Sequence, residues 1–340
     1  MTDIRTIRVG VIGAGRIGKI HAENLATRIP GAVVAAIADA NSSAAKELAE
    51  KLHVGTYYED YRKILEDPSI DAVVICSSTN THAKFMTEAA QAGKHIFCEK
   101  PVDHTLEKID SALAAVEKAG VKCQIGFNRR FDPNFKKVRQ MVKEGKVGEV
   151  QILRITSRDP FPPPVEYVKV SGGMFLDMTI HDFDMARYLS GSEVTEVYAA
   201  GGVMVDPAIG EAGDIDTAII TLKFANGSIG TIDNCRKAVY GYDQRVEVFG
   251  SEGMVAVANN TPNSSVYSNA DGVVSEKPLY FFLERYMDSF IAEMREFIEA
   301  IQEDKPTPVT ALDGRKPVVI AMAAKKSLLE NRPVKLTEIE

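Results

Sequence analysis

Ile7-Arg8-Val9-Gly10-Val11-Ile12-Gly13-Ala14-Gly15-Arg16-Ile17-Gly18 is the stretch that decides the fold of this chain. Its first half is an apolar run that reads as a buried strand. Its second half is G-x-G-x-x-G, leading into a helical pattern over residues 17 to about 27. In that context Gly13 permits a tight turn, Gly15 lets a pyrophosphate approach the backbone, and Gly18 lets helix and strand pack closely. The free N–H groups and positive dipole end of the helix complete an anion site. The pattern predicts a dinucleotide-binding unit.

A second strand, residues 33–38, ends at Asp39, which follows Gly18 by 21 residues. A carboxylate there accepts hydrogen bonds from the adenosine ribose hydroxyls and repels a 2′-phosphate. Ala40-Asn41-Ser42-Ser43 offers no arginine to hold that phosphate, so NAD is favoured over NADP. The same aspartate could instead cap the next helix. Strand and helix patterns then alternate: a helix over 43–52, a short Tyr57-Tyr58 strand, a helix near 61–65, and a strand over 72–75. Cys76-Ser77-Ser78-Thr79-Asn80-Thr81-His82 reads as a polar loop before a helix over 83–92; it either lies along the cofactor's ribose or caps that helix. In His95-Ile96-Phe97-Cys98-Glu99-Lys100-Pro101, a proline ends a short strand just after an acid and a base. Lys100 thus stands at the carboxyl end of a strand, where open α/β sheets bind ligands, unless it simply points into water. A helix over 106–119 and a strand over 122–126 complete a doubly wound parallel sheet, giving a Rossmann domain over residues 1–126.

The remaining residues, 127–340, read as an α+β domain dominated by antiparallel strands. A helix over 135–143 and a strand over 150–156 lead to Phe161-Pro162-Pro163-Pro164, a loop that cannot be regular structure and could rim a pocket. After Gly172-Gly173, spacings of four and three put Asp177, His181 and Asp184 on one stripe of a single helix, beside an apolar stripe of Leu176, Ile180 and Phe183. A carboxylate there can orient and charge-stabilise an imidazole, or the stripe is a solvated face with an incidental histidine. Strands follow over 194–204, 216–224, 228–235, 244–249 and 254–258, with Asn226-Gly227 as a hairpin turn. Tyr240-Gly241-Tyr242-Asp243 could offer phenol hydroxyls to a polyol, although tyrosines are common in turns. Helices over 286–302 and 315–330 and a short strand over 332–335 close the chain; the final helix and strand are free to pack back on the first domain.

Composition narrows the function classes. At 340 residues two domains are the better prior, and 45% hydrophobic with 26% charged residues is ordinary for a globular protein. A net charge of −7 with scattered lysines and arginines argues against nucleic acid or an anionic membrane surface. No apolar run reaches the length of a membrane span, and the first residues carry no signal-peptide pattern, so a cytoplasmic protein is expected. Cys76, Cys98, Cys123 and Cys235 lack C-x-x-C spacing and read as reduced core thiols. No metal site is expected.

Taken in order, Gly13-Ala14-Gly15-Arg16-Ile17-Gly18, Asp39, the Ser-Thr-Asn-Thr-His loop to His82, Glu99-Lys100-Pro101 and Asp177-x-x-x-His181 resemble the glucose-fructose oxidoreductase and inositol dehydrogenase (Gfo/Idh/MocA) family over essentially the whole chain. The resemblance implies a Rossmann domain followed by a domain with a large, open, mostly antiparallel sheet, which in many members also forms dimer and tetramer contacts. It implies that NAD is held by Gly13, Gly15, Arg16, Ile17, Gly18, Asp39, Ser77, Thr79, Asn80, His82, Glu99 and Lys100. Gly126-Phe127-Asn128-Arg129-Arg130-Phe131-Asp132, Arg158-Asp159-Pro160, Asp184 and Tyr240-Gly241-Tyr242-Asp243 look like pocket segments of the inositol-oxidising members. Asn128 stands where a methionine is expected, and Asp159 looks like the counterpart of an asparagine. The expected reaction is NAD-dependent oxidation of a ring hydroxyl of a cyclic polyol. His181 would take the proton, Asp177 would orient and stabilise His181, and Lys100 would hydrogen-bond the reacting oxygen. Asn128, Arg129 or Arg130, Asp159, Asp184 and Tyr242 are the candidates for binding the polyol. Another inositol or sugar as substrate, NAD-dependent glycoside cleavage, and a non-catalytic NAD sensor are the rival readings.

Overall fold

The computed structural model describes residues 5–339. Met1–Ile4, part of the stretch read as lacking a leader, lie outside the described residues. The chain forms two compact units: Met1–Phe131 with Asp288–Lys316, and Asp132–Met287 with Pro317–Glu340. The break falls five residues after the expected Gly126, and a segment near the C-terminus rejoins the first unit.

The first unit alternates β1 (Ile7–Ile12), α1 (Arg16–Thr27), β2 (Ala32–Ala38), α2 (Ser42–Lys51), β3 (Tyr57–Tyr58), α3 (Arg62–Glu66), β4 (Ala72–Ile75), α4 (Thr79–Gln91), β5 (His95–Cys98), α5 (Leu106–Ala119) and β6 (Cys123–Ile125). The six strands pair in the order β3-β2-β1-β4-β5-β6, all parallel. This is the doubly wound order expected from the sequence. Its topological switch lies between β1 and β4, where a crevice opens at the strands' carboxyl ends. Near-continuous burial of β1, β4 and β5 reflects a sheet covered on both faces. Residues 288–316 return here because Met294, Phe297 and Ile298 fill one core cluster with Val9, Val11, Leu25, Leu48 and Phe97.

The second unit begins with α6 (Pro133–Lys143), whose N-terminus is capped by the Asp132 carboxylate. It continues through β7 (Val150–Arg158), the short helices α7 (Val165–Val168) and α8 (Met174–Asp177), α9 (Ile180–Ser190), β8 (Val194–Gly202), α10 (Pro207–Glu211), β9 (Thr217–Phe224), β10 (Ile229–Cys235), β11 (Asp243–Gly250) and β12 (Gly253–Val257). A hairpin of β13 (Val266–Asn269) and β14 (Gly272–Ser275) follows, then α11 (Phe282–Gln302), α12 (Ala311–Glu330) and β15 (Val334–Lys335). Seven strands form a sheet in the order β12-β11-β7-β10-β9-β8-β15, antiparallel except for the β10–β7 pair. The last helix and strand, which the sequence left free to pack back on the first domain, divide between the two units. β15 pairs with β8 and most of α12 belongs to the second unit, whereas most of α11 and the start of α12 join the first. Asp313 accepts from the Thr310 backbone and hydroxyl, so α12 starts four residues earlier than expected, with Pro317 inside it.

Candidate active site

The crevice of the first unit is built by backbone. Gly13 sits at φ +107°, and a Cβ on it would lie 2.6 Å from the Cys76 carbonyl carbon; a Cβ on Gly18 would lie 1.9 Å from the Gly13 oxygen. Those two glycines are demanded by packing of the turn itself. Gly15 differs: a Cβ there would meet nothing within 4 Å, and no side chain caps α1. The space beside Gly15 and the uncapped N–H groups of α1 fit a pyrophosphate. The Asp39 carboxylate accepts from the Ala14 N–H at 2.7 Å and the Asn41 N–H at 2.8 Å, tying the end of β2 to the glycine turn. Asn41, not Asp39, caps α2.

Gly13, Asp39, Ser77 and Thr81 line one groove of about 480 Å³, together with Glu59, Asp60 and the Tyr61–Phe85 ring pair. Three carboxylates and neither lysine nor arginine line it, which suits ribose hydroxyls and disfavours a 2′-phosphate. NAD therefore fits the groups present.

Two parts of the expected cofactor set have surroundings that the sequence did not show. The loop ends at Ser78, so Thr79 and Asn80 open α4, and His82 is buried in it with its ring nitrogens 2.8 Å from the Pro101 oxygen and 2.9 Å from the Ser77 oxygen. Burial pushes the imidazole below its usual pKa, and the neutral ring donates to only one of those carbonyls. His82 braces the crevice wall and does not face the groove. The Glu99 carboxylate meets the buried His21 ring at 2.8 Å, with 12% of the glutamate side chain exposed. Lys100 is half-buried at the end of β5, as its place in the sequence predicts. All four cysteines are free; burial raises the thiol pKa of Cys98, and that of Cys123 to about 12.

In the second unit the expected single helix is two. The Thr179 N–H reaches back five residues to the Met174 oxygen, and Asp177 ends α8 while His181 and Asp184 belong to α9. The strand beneath explains the break. Asn234 of β10 accepts from the Thr179 hydroxyl at 2.6 Å and donates to Asp182 at 2.9 Å, pinning both sides of the junction. Two residues on, just past the end of β10, Arg236 donates to Asp177 at 3.0 Å and lies 4.0 Å from Asp159. Tyr167, delivered by α7 just after the proline run, donates to the other Asp177 oxygen at 2.8 Å.

Arg236 and Tyr167 are the residues that sequence reasoning missed. The structure gathers Asp177 and Asp159 around Arg236, with half-buried His181 one turn along. Asp184 is buried 3.8 Å from Arg187, and Tyr242 is a buried ring edge-on to Phe281 and Tyr286. Asn128, Arg129 and Arg130 form a 3₁₀ turn in the first unit; Asn128 and Arg129 are buried, and Arg130 donates to Asp313 at 2.9 Å. A carboxylate held by an arginine and a phenol, in a segment that also carries a half-buried imidazole, has the makings of an acid–base site.

Comparison with known proteins bears on both units. Residues 7–127 match the oxidoreductase family with an NAD-binding Rossmann fold, and residues 135–256 match the GFO/IDH/MocA C-terminal domain. The chain is 51% identical to the myo-inositol 2-dehydrogenase of Thermotoga maritima, over 98% of this chain and 99% of that one. It is 45% identical to the inositol 2-dehydrogenase of Rhizobium meliloti, over 97% and 99%. The crystal structure of scyllo-inositol dehydrogenase from Lactobacillus casei with bound NAD(H) and scyllo-inositol superposes with a TM-score of 0.92 at 31% identity, covering 98% of this chain and 100% of that one.

Proposed function

The chain belongs to the Gfo/Idh/MocA oxidoreductase family, and from that premise we propose that it oxidises a ring hydroxyl of a cyclic polyol with NAD, foremost myo-inositol to 2-keto-inositol. The observation that carries this reading is the acid-lined groove beside the open Gly15 turn, in a chain similar along its whole length to inositol dehydrogenases. NAD, when bound, supplies the hydride acceptor. His181 takes the hydroxyl proton on a ring nitrogen. Asp177, held by Arg236 and Tyr167, keeps its charge directed at the imidazole as that ring becomes positive. Lys100 donates to the reacting oxygen and favours its developing negative charge. Asp159 and Arg129 or Arg130 are the further candidates for polyol hydroxyls.

The protein resides in the cytoplasm and works as a homo-oligomer, a dimer or tetramer. No helix among the described residues is long and apolar enough to cross a membrane. Ile219, Ile229, Phe249 and Met254, on β9 to β12, are 42–56% exposed, an apolar presence on the large sheet that suits a second copy.

The test is turnover across inositol isomers and sugars with NAD and with NADP, in wild type, Lys100→Ala, His181→Ala and the double variant. Each single change is expected to lower turnover by about 100-fold or more, and the double variant by much less than the product. NADH binding survives in His181→Ala. Near-normal turnover of that variant would overturn the assignment, and equal efficiency with NADP would overturn the cofactor preference.

A further inference from the structure

Beneath the crevice, three ionisable side chains meet in the core of the first unit. His21 of α1 is fully buried, edge-on to the rings of Phe97 at 4.9 Å and Phe290 at 5.7 Å. Its Nε2 lies 2.8 Å from one Glu99 oxygen, and the other Glu99 oxygen accepts the Lys100 backbone N–H at 3.3 Å. Gly126 leaves room for this carboxylate, since a Cβ there would stand 3.0 Å from its carbon and both its oxygens. Glu293 of α11 is also fully buried, with one oxygen 3.9 Å from His21 Nε2 and no hydrogen-bond partner for either oxygen among the described residues. Burial first, and then the negative charge of Glu99, hold the Glu293 carboxyl well above the usual carboxylate range, so it keeps its proton. Burial first, with the Glu99 charge as a lesser cause, also raises the thiols of Cys76 and Cys98 well above their usual pKa.

We infer that Glu99 is a positioning residue for Lys100: anchored on the buried His21 imidazole, its carboxylate holds the lysine's backbone amide and so fixes where the β5 terminus presents the side chain. This is a role beside the cofactor contact that the resemblance implies. It rests on the reading in which Lys100 meets the reacting hydroxyl. The His21 ring, clamped between two phenylalanines, is the fixed end of the bridge, and the Lys100 amide is the end that needs holding. A misplacement of the lysine by about 1 Å can cost about 100-fold in rate.

The geometry demands reach more than charge, which two variants separate. Glu99→Asp keeps the charge and loses one methylene, so it cannot bridge His21 and the Lys100 amide together. Glu99→Gln keeps the length: its amide oxygen can accept from Lys100 while its NH₂ faces His21 Nε2, the imidazole proton moving to Nδ1, which has no bond to lose. With wild-type protein as reference, turnover, KM, NADH affinity by fluorescence, melting temperature and hydrogen exchange at the Lys100 amide are measured for both. Expected for Glu99→Asp are a fall in kcat of about tenfold or more and an exchange rate at Lys100 about tenfold faster, with NADH affinity within about twofold. Glu99→Gln is expected to retain at least about a third of wild-type kcat and the wild-type exchange rate. Wild-type kcat in Glu99→Asp, an equal fall in both variants, or a fall that merely tracks NADH affinity and melting temperature would each overturn the inference. Exchange behaving as expected in a wild type that turns over no polyol would remove the polyol reading alone and leave the Glu99 anchor standing.

Discussion

The glycine turn of the first unit and the Asp177 site of the second are built on opposite principles. Around Gly13, Gly15 and Gly18 the shape is made by backbone from one short stretch, and the side chains matter by their absence. Around Asp177 the backbone is irregular, and position is imposed by side chains from afar, Tyr167 ten residues before and Arg236 fifty-nine residues after. The first kind of site is written locally. The second exists only once a sheet has formed beneath it.

The contrast is broken most forcefully at Gly15. Because a side chain there meets open space and the residue sits at an ordinary extended φ of −72°, Gly15→Val is expected to melt like the wild type. It should nonetheless lose NADH affinity by about 100-fold or more, since the branched side chain fills the pyrophosphate's place. Titration by NADH fluorescence beside a thermal melt checks both halves; retained affinity would make the turn a purely structural one.

An intermediate effect is expected at Arg236. Arg236→Met removes the cation that holds Asp177, and turnover should fall about 10- to 100-fold with NADH affinity unchanged, the usual range for groups supporting acid–base catalysis. Arg236→Lys should recover little, because a point charge does not replace a planar donor fork. Steady-state kinetics on the best polyol decide it: wild-type turnover in Arg236→Met would mean that Asp177 needs no distant partner and the contrast is overdrawn.

The smallest effect concerns a place where the backbone-built unit does hide an ionisable cluster. The Glu293 carboxyl has its pKa raised in the folded state, so it contributes stability that is present below its unfolded value and lost as pH rises through the folded one. Glu293→Gln lacks that loss. Its melting temperature relative to wild type should therefore climb by a few degrees between about pH 5 and about pH 9. A difference that stays flat or shrinks would mean that Glu293 is already ionised inside the fold.

What could be read in advance follows the same division. The parallel alternation, the glycine turn, Asp39 at the end of β2 and Lys100 at the end of β5 all follow from local periodicity and turn chemistry. The break between α8 and α9 could not be read, because spacings of four and three look the same in one helix as in two. What separates them is Asn234, a strand residue that clasps Thr179 and Asp182. Arg236 carries no local mark beyond following a strand. The His21 anchor of Glu99 could not be read, because the end of a strand does not reveal which way its last side chains turn, and here a buried histidine on α1 decides. The β13–β14 hairpin, by contrast, carries a local signal in the sequence. Two short apolar runs flank Asn269-Ala270-Asp271-Gly272, where the Asn269 side chain accepts from the next turn's amides.

The return of residues 288–316 to the first unit has a consequence for the order of events during synthesis. A nascent chain emerging at about 5–20 residues per second has made the last strand of its parallel sheet roughly ten to thirty seconds before Met294, Phe297 and Ile298 leave the ribosome. For that interval Phe97, Leu25 and His21 lack the helix that buries them, so the first domain to be translated stays unfinished while most of the second is being made.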